Sequence, residues 1–134
     1  MKKTLLMLAA LLCCCFALKA QNYNFSAPCP SGQTLYYRIT STTNHTVKIV
    51  APNEDNEYAW YGYTQPIGQL ILPETVEDYG TSYTVTAIGD CSFYKCNGLK
   101  GSLVIPNTVT SIEGSAFQYC SGFNGTLTIP NSVT

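Results

Sequence analysis

The sequence is poor in charge and nearly without histidine. Charged residues make up 11% of the chain, and His45 is the single histidine. Beyond residue 20, Lys and Arg are outnumbered by Asp and Glu, four against eight, so this part of the chain is acidic. The basic footprint by which proteins usually bind nucleic acid is missing, and we expect no nucleic-acid partner.

Few side chains are suited to catalysis or to metal binding. His45 lies in a predicted polar turn, and a nucleophile pair would need Cys29, Cys91, Cys96 or Cys120 brought to it. The spacing from Cys91 to Cys96 has no second close cysteine pair beside it, as zinc sites usually have. We therefore predict no enzyme, no cofactor and no metal site, and interpret the cysteines as structural thiols. Their disulfide state stays open, because spacing does not give disulfide geometry.

Long apolar runs are also lacking, except at the start of the chain. Residues 1–20 combine the basic pair Lys2-Lys3 with an apolar run that is short for a bilayer span, and Ala20 precedes the polar Gln21. This order is typical of a secretory signal peptide. We predict export, either into the medium or to the cell surface, with cleavage after Ala20. Lipid anchoring is the less favoured alternative, at Cys13, Cys14 or Cys15.

The sequence does contain a short pattern that occurs twice. GSLVIPNTVT at residues 101–110 recurs as GTLTIPNSVT at residues 125–134, a shift of 24 residues. Self-similarity at such a period is typical of a solenoid, in which each repeat buries its apolar face against its neighbours. Leu103 and Ile105 alternate with outward side chains, which predicts a short strand that Pro106 ends.

Stacked repeats place equivalent residues in columns. A strand from one repeat pairs with the strand of the next at about 4.8 Å. Ala116, Phe117 and Cys120 have the spacing of one helical or 3₁₀ turn, so Phe and Cys should stack as well. The predicted columns are Leu70/Leu103/Leu127, Leu72/Ile105/Ile129, Ile88/Ile112, Phe93/Phe117 and Cys96/Cys120.

The order IPxxVTxI followed by AFxxC in residues 105–120 closely resembles the BspA-like leucine-rich repeat of secreted and surface proteins from host-associated anaerobic bacteria. The resemblance covers residues 68–134. It implies a right-handed leucine-rich-repeat solenoid that is mainly β with short helical or 3₁₀ turns. It also implies a protein-recognition or adhesion role without catalytic residues.

The chain divides into a signal peptide at residues 1–20, a β-rich N-terminal cap at 21–68 and incomplete repeats at 69–134. In the cap, residues 35–40 and 46–50 predict a hairpin, and the acidic run 53–57 is interpreted as a solvated loop because it lacks the EF-hand order. Nine residues, Glu77–Val85, are inserted relative to the next repeat. They predict a second hairpin that turns at Tyr79-Gly80.

Two surfaces are candidate binding sites. Strand alternation predicts an outward face on the repeats, made by Gln69, Ile71, Ser102, Val104, Thr126 and Thr128. The alternative is an aromatic cluster in the cap, whose rings either pack on the first repeat or stack on a sugar. This cluster consists of Tyr58, Trp60, Tyr61 and Tyr63.

These features favour a secreted or cell-surface protein that recognises a protein or another ligand on a host or cell surface. One alternative is a carbohydrate-binding protein that uses the aromatic cluster. Another is a truncated fragment of a longer adhesin with little activity alone. The unpaired strand edge at Gly125 to Pro130 further predicts that the isolated chain self-associates or is marginally stable.

Export is tested by the mass of the secreted protein. We expect a mature chain that begins at Gln21, because the basic start, the short apolar run and Ala20 together direct cleavage there. Intact-mass spectrometry checks this expectation. A diacylated species that begins at one of the three leader cysteines would contradict it.

Overall fold

The computed structural model describes residues 21–134, so the predicted signal peptide and its three cysteines lie outside the described part. This part of the chain is built of strands and turns, with one 3₁₀ turn at Asn56–Tyr58. None of its helical elements has the length and apolar character needed to cross a membrane. The strands are β1 (Phe25–Pro28), β2 (Thr34–Ser41), β3 (Thr46–Val50), β4 (Gly68–Gln69), β5 (Thr75–Asp78), β6 (Thr81–Ile88), β7 (Leu99–Val104), β8 (Ser111–Ile112) and β9 (Phe123–Thr128).

One side of the solenoid is the parallel stack β3, β6 and β8. Ile49 pairs with Ile88, and Ile88 with Ile112, which confirms the predicted Ile88/Ile112 column and extends it by one residue into the cap. Ile49 and Ile88 are almost fully buried. The second strand of the predicted cap hairpin therefore serves as the first rung of the stack.

The other side is the parallel stack β4, β7 and β9. Leu103 pairs with Leu127 in register, as the 24-residue shift predicts. Leu70 and Leu103 are buried, whereas Leu127 is 59% exposed because it has a neighbouring coil on one side only among residues 21–134. The mainly β solenoid predicted from the sequence is thus confirmed.

The coils turn between the two stacks through tight four-residue turns. The amide of Tyr94 donates to the Cys91 carbonyl at 3.0 Å, and the amide of Gln118 donates to the Ser115 carbonyl at the same distance. The Phe93 and Phe117 rings stack with centroids 5.0 Å apart and an interplanar angle of 6°, which confirms their column. The spacing that predicted a helical or 3₁₀ turn is met by successive turns, because positive φ values at Ser115 and Tyr119 prevent a continuous helix.

The aromatic segment 58–63 has the same turn geometry. The amide of Tyr61 donates to the Tyr58 carbonyl at 2.9 Å, and the amide of Tyr63 donates to the Trp60 carbonyl at 3.0 Å. Gly62 has a φ of 81°, as Lys95 and Tyr119 have positive φ in the following coils. Trp60 is buried and precedes Leu70 by the same ten residues that separate Phe93 from Leu103. The boundary predicted between residues 68 and 69 stays a prediction, but coil-like geometry begins ten residues earlier.

Both predicted hairpins are present. β2 and β3 pair antiparallel, and β1 adds to the outer edge of β2. The inserted residues form the antiparallel pair β5 and β6, which turns at Tyr79 and Gly80 with φ of 44° and 81°. Two consecutive positive φ values are those of the type I′ turn that two-residue hairpins favour.

The cap joins the coils at the Ile49 carbonyl. This oxygen accepts the amide of Gly89 at 2.7 Å and the buried Ser92 hydroxyl at 2.9 Å. The Ser92 carbonyl in turn accepts the Trp60 indole N–H at 3.1 Å. A chain of hydrogen bonds therefore connects β3, the turn after β6 and the first coil's aromatic residue.

Substitution of Gly89 tests this junction. A Cβ at Gly89 would lie 2.8 Å from the Ile49 carbonyl oxygen, which is backbone and cannot move aside. We expect Gly89→Ala to lower the free energy of unfolding by about 1–3 kcal/mol, as overpacked sites do. In the control, Gly114→Ala, the new Cβ meets only the Asp90 side chain at 3.3 Å, so little change is expected. Urea unfolding measures the free energy of unfolding of both variants. Equal losses would contradict the importance of the close contact between Gly89 and the Ile49 carbonyl.

Candidate functional site

The outward face of β4, β7 and β9 carries the predicted ligand-binding residues. Ile71 and Val104 are 47% and 58% exposed, although both are apolar. Val104 pairs with Thr128 on β9. Gln69, Thr126 and Thr128 are exposed. Ser102 is half-buried, and its hydroxyl accepts the Thr126 amide at 2.9 Å. The structure thus brings the six residues together on one face.

A shallow groove of about 240 Å³ lies on this face between the first two coils. Ile71, Val104 and Pro106 supply its apolar wall, and Glu74 supplies a carboxylate. Leu70, Leu72, Gln69 and Ser102 line the remaining part. The predicted ligand face is therefore not flat but contains one depression with a single negative charge.

The cap holds the edge of this face in place. The Gln33 side-chain amide donates to the Ile67 carbonyl at 2.7 Å and to the Gln69 carbonyl at 2.8 Å. The Ser31 hydroxyl accepts the amide of Ile71 at 2.9 Å. These bonds satisfy backbone groups that an open sheet edge would leave unpaired. The roles of Ser31 and Gln33 are not visible in the sequence, because no local pattern shows that a turn side chain will reach a strand some 35 residues away.

The four residues of the alternative aromatic site are not equivalent in the structure. Trp60 is 5% exposed and its indole N–H is already bonded to Ser92, so its face is not available to a sugar. Tyr58 and Tyr61 are exposed, and their rings meet edge to face at 6.1 Å. Tyr63 packs into another cluster. The four residues thus divide into a buried ring, an exposed pair and a ring that packs against the cap.

A cluster of three tyrosines, Tyr23, Tyr36 and Tyr63, lies on the cap. Tyr36 is 4.7 Å from Tyr23 and 5.3 Å from Tyr63 between ring centroids. Burial and the hydrogen bond with Tyr63 raise the pKa of Tyr23 to about 12. The rings are tilted or perpendicular to one another, so they pack as a cluster and do not form a coplanar platform. Alternation along β2 was the available signal, since it sends Tyr37 inward and Tyr36 outward.

The Cys/His pair considered from the sequence is not assembled within residues 21–134. His45 is exposed at the β2–β3 turn with a φ of 48°, and its ring meets Tyr83 at 5.8 Å. The thiol of Cys29 contacts the Ser31 hydroxyl and the Gln33 side chain. Cys91 contacts Asp90. The described residues also contain no group of three or more His, Cys, Asp or Glu side chains arranged to hold a metal ion.

The column cysteines are free thiols in this structure. Cys96 is fully buried, and burial followed by the nearby Cys120 raises its pKa. Cys120 is half-buried and donates to the Phe93 carbonyl at 2.8 Å, and burial raises its pKa as well. Because the pKa of each thiol is raised, both sulfurs are protonated at neutral pH. Only the thiolate is a strong nucleophile, so both cysteines act as packing groups.

The acidic loop is held by its own hydrogen bonds. The Asp55 carboxylate accepts the amide of Glu57 at 3.0 Å. The Asn53 side-chain amide donates to the carbonyls of Tyr58 and Tyr61, at 2.8 and 2.9 Å. The loop therefore caps the aromatic segment that follows it.

A family model described as "BspA type Leucine rich repeat region (6 copies)" matches residues 57–134. Solved structures show the same fold. A leucine-rich repeat protein from Bacteroides ovatus is 26% identical with a TM-score of 0.55, and the match covers 75% of this chain and 23% of that one. A leucine-rich repeat protein from Bacteroides capillosus is 21% identical with a TM-score of 0.52, over 78% of this chain and 67% of that one.

A leucine rich cell surface protein from Faecalibacterium prausnitzii is 23% identical with a TM-score of 0.55, over 84% of this chain and 26% of that one. The chain thus spans about a quarter of the length of the B. ovatus and F. prausnitzii proteins. A comparison with curated proteins gives no match.

The two column cysteines should respond differently to serine. Cys96→Ser buries a hydroxyl whose nearest acceptor, the Tyr94 carbonyl, is 3.9 Å from the present sulfur, so we expect a loss of about 1–3 kcal/mol. Cys120→Ser keeps a donor beside the Phe93 carbonyl in a half-buried site, and we expect a loss of about 1 kcal/mol or less. Urea unfolding under reducing conditions measures both. A larger loss of stability for Cys120→Ser than for Cys96→Ser would contradict the expectation that Cys96 is the more sensitive of the two sites.

Proposed function

Because the chain belongs to the BspA-type leucine-rich-repeat family, we propose that it is a non-enzymatic recognition or adhesion module. In this proposal the module is exported or displayed at the cell surface and binds a protein through the outward face of β4, β7 and β9. The predicted signal peptide supports export, and the F. prausnitzii protein of the same fold is itself a cell surface protein.

The observation that carries the proposal is the exposed apolar pair Ile71 and Val104. Single exposed apolar residues are common, but these two lie on adjacent coils and line one groove. Their backbone is fixed by the strand ladder and by Ser31 and Gln33. A partner that covers a rigid face loses little entropy in ordering it, so even a small contact contributes to binding.

The carbohydrate alternative now depends on Tyr58 and Tyr61. They are the exposed members of the aromatic cluster, whereas Trp60 is part of the core. Their rings meet edge to face and are not coplanar, so they do not form one flat platform for a sugar. This alternative predicts a glycan ligand and a contact outside the groove that Val104 lines.

A protein array and a glycan array, probed with the labelled full chain, test the proposal. For a protein ligand found in this way, we expect Val104→Arg to weaken binding at least about tenfold, because the long side chain occupies the groove and removes the apolar contact in its centre. Gln118→Arg is the matched control: it adds the same charge on the exposed turn side, and we expect less than about a twofold change. Circular dichroism should be unchanged for both variants.

A second pair of variants addresses the cap. Tyr58→Ala should leave binding intact, and Trp60→Ala should lower stability because it removes a buried ring and its bond to Ser92. Glycan binding that is lost in folded Tyr58→Ala and retained in Val104→Arg would overturn the proposal in favour of the carbohydrate alternative.

A further inference from the structure

Resting on the proposed recognition role, we propose that the groove between the first two coils takes a lysine or arginine side chain of the partner protein, with Glu74 as its counter-charge. The groove is lined by Glu74, by the polar Gln69 and Ser102, and by the apolar Leu70, Ile71, Leu72, Val104 and Pro106. The partner chemistry follows from the size, the lining and the charge of this groove.

The size of the groove fits one side chain. Its volume of about 240 Å³ is below the roughly 300–1,000 Å³ of pockets that hold whole small molecules. It opens along the sheet face between two parallel strands, so a partner backbone can pass over it while one side chain enters. A single inserted side chain is thus the natural occupant.

The lining fits an amphipathic side chain. Ile71, Val104 and Pro106 present apolar surface, and Glu74 lies beyond the strand end, next to Pro73. Lysine and arginine bury a hydrocarbon stem along apolar surface and keep a charged head at its end. A purely apolar side chain would gain nothing from the carboxylate, and an acidic one would be repelled by it.

The charge of the groove is not neutralised within the described chain. Glu74 is exposed, and the ion pairs that the structure shows among residues 21–134 are Arg38–Glu54 and Lys48–Glu113, on the cap and the opposite stack. The sequence has no Lys or Arg between Lys48 and Lys95. Glu77 and Asp78 lie further along β5 and do not line the groove, so Glu74 is its one charged lining residue.

The geometry also gives the groove a direction. Lys100 is exposed at the start of β7, four residues before Val104, which corresponds to about 13 Å along a strand. It does not line the groove. The Glu74 backbone is held by the Val85 amide, which donates to its carbonyl at 2.9 Å. A cationic head therefore meets an attractive charge only at the Pro106 end.

Peptides that differ at one position test the inference. Four immobilised peptides with a Gly/Ser background carry lysine, arginine, norleucine or glutamate at their centre, at a high surface density so that weak binding gives a measurable signal. Binding of the full chain is measured by biolayer interferometry at low and high salt. We expect the lysine and arginine peptides to bind about three- to tenfold more strongly than norleucine at low salt, and the difference to shrink at high salt.

The variant Glu74→Gln keeps the shape of the groove and removes its charge. We expect it to bring the lysine peptide to the level of the norleucine peptide. Glu57→Gln is the charge-matched control, since Glu57 is exposed on the acidic loop outside the groove, and it should retain the preference.

The outcomes separate the inference from the proposed function. A preference for lysine that persists in Glu74→Gln, or equal binding of lysine and norleucine, overturns the role of Glu74. If Val104→Arg still weakens binding of the protein ligand in that case, the recognition face survives. The groove is overturned as the contact site if neither Glu74→Gln nor Val104→Arg changes binding. It is also overturned if the chain binds none of the peptides.

Discussion

Each coil of this structure is completed by the coil before it. The Ile49 carbonyl accepts the Gly89 amide, the Thr86 carbonyl accepts the amide of Thr110, and the Thr110 carbonyl accepts the amide of Thr134. These bonds join residues on successive coils, so each coil depends on a neighbour for part of its backbone hydrogen bonding. The buried columns likewise consist of side chains from successive coils packed against one another. The solenoid is therefore held by contacts between neighbours, and the first coil depends on the cap strand β3 in the way that later coils depend on the first.

This dependence explains the strained turns. Gly62, Lys95 and Tyr119 have φ of 81°, 58° and 61° at corresponding places in three coils, yet only the first is glycine. A left-handed residue other than glycine costs about 1–2 kcal/mol. The stacked coils impose the conformation regardless of residue type. Because lysine and tyrosine are not turn-forming residues, the sequence predicted a helical turn where the structure has two successive tight turns.

The sequence showed those parts of the fold that repeat or that are local. The 24-residue shift predicted the columns, and Tyr79-Gly80 between β-rich runs predicted the inserted hairpin. The coil character of residues 58–63 was missed because Trp60 stands where later coils have phenylalanine and Tyr63 where they have cysteine. The acidic loop before them adds further length. The ten-residue spacing from Trp60 to Leu70 was the one remaining signal. The contacts of Ser31 and Gln33 with β4 had no signal, since they join distant segments.

The location of the proposed recognition surface depends on which apolar residues are buried in the core. Packing takes up Trp60 and much of the tyrosine cluster, because an aromatic ring that fills a column cannot also face a ligand. On the sheet face, by contrast, strand alternation leaves apolar residues exposed. Its inward residues fill the columns, which forces Ile71 and Val104 outward whatever their polarity. Two apolar residues and one carboxylate make a weak contact by themselves. Such a face gains affinity by repetition along adjacent coils, since each coil presents its outward residues in the same register and adds no new ordering cost.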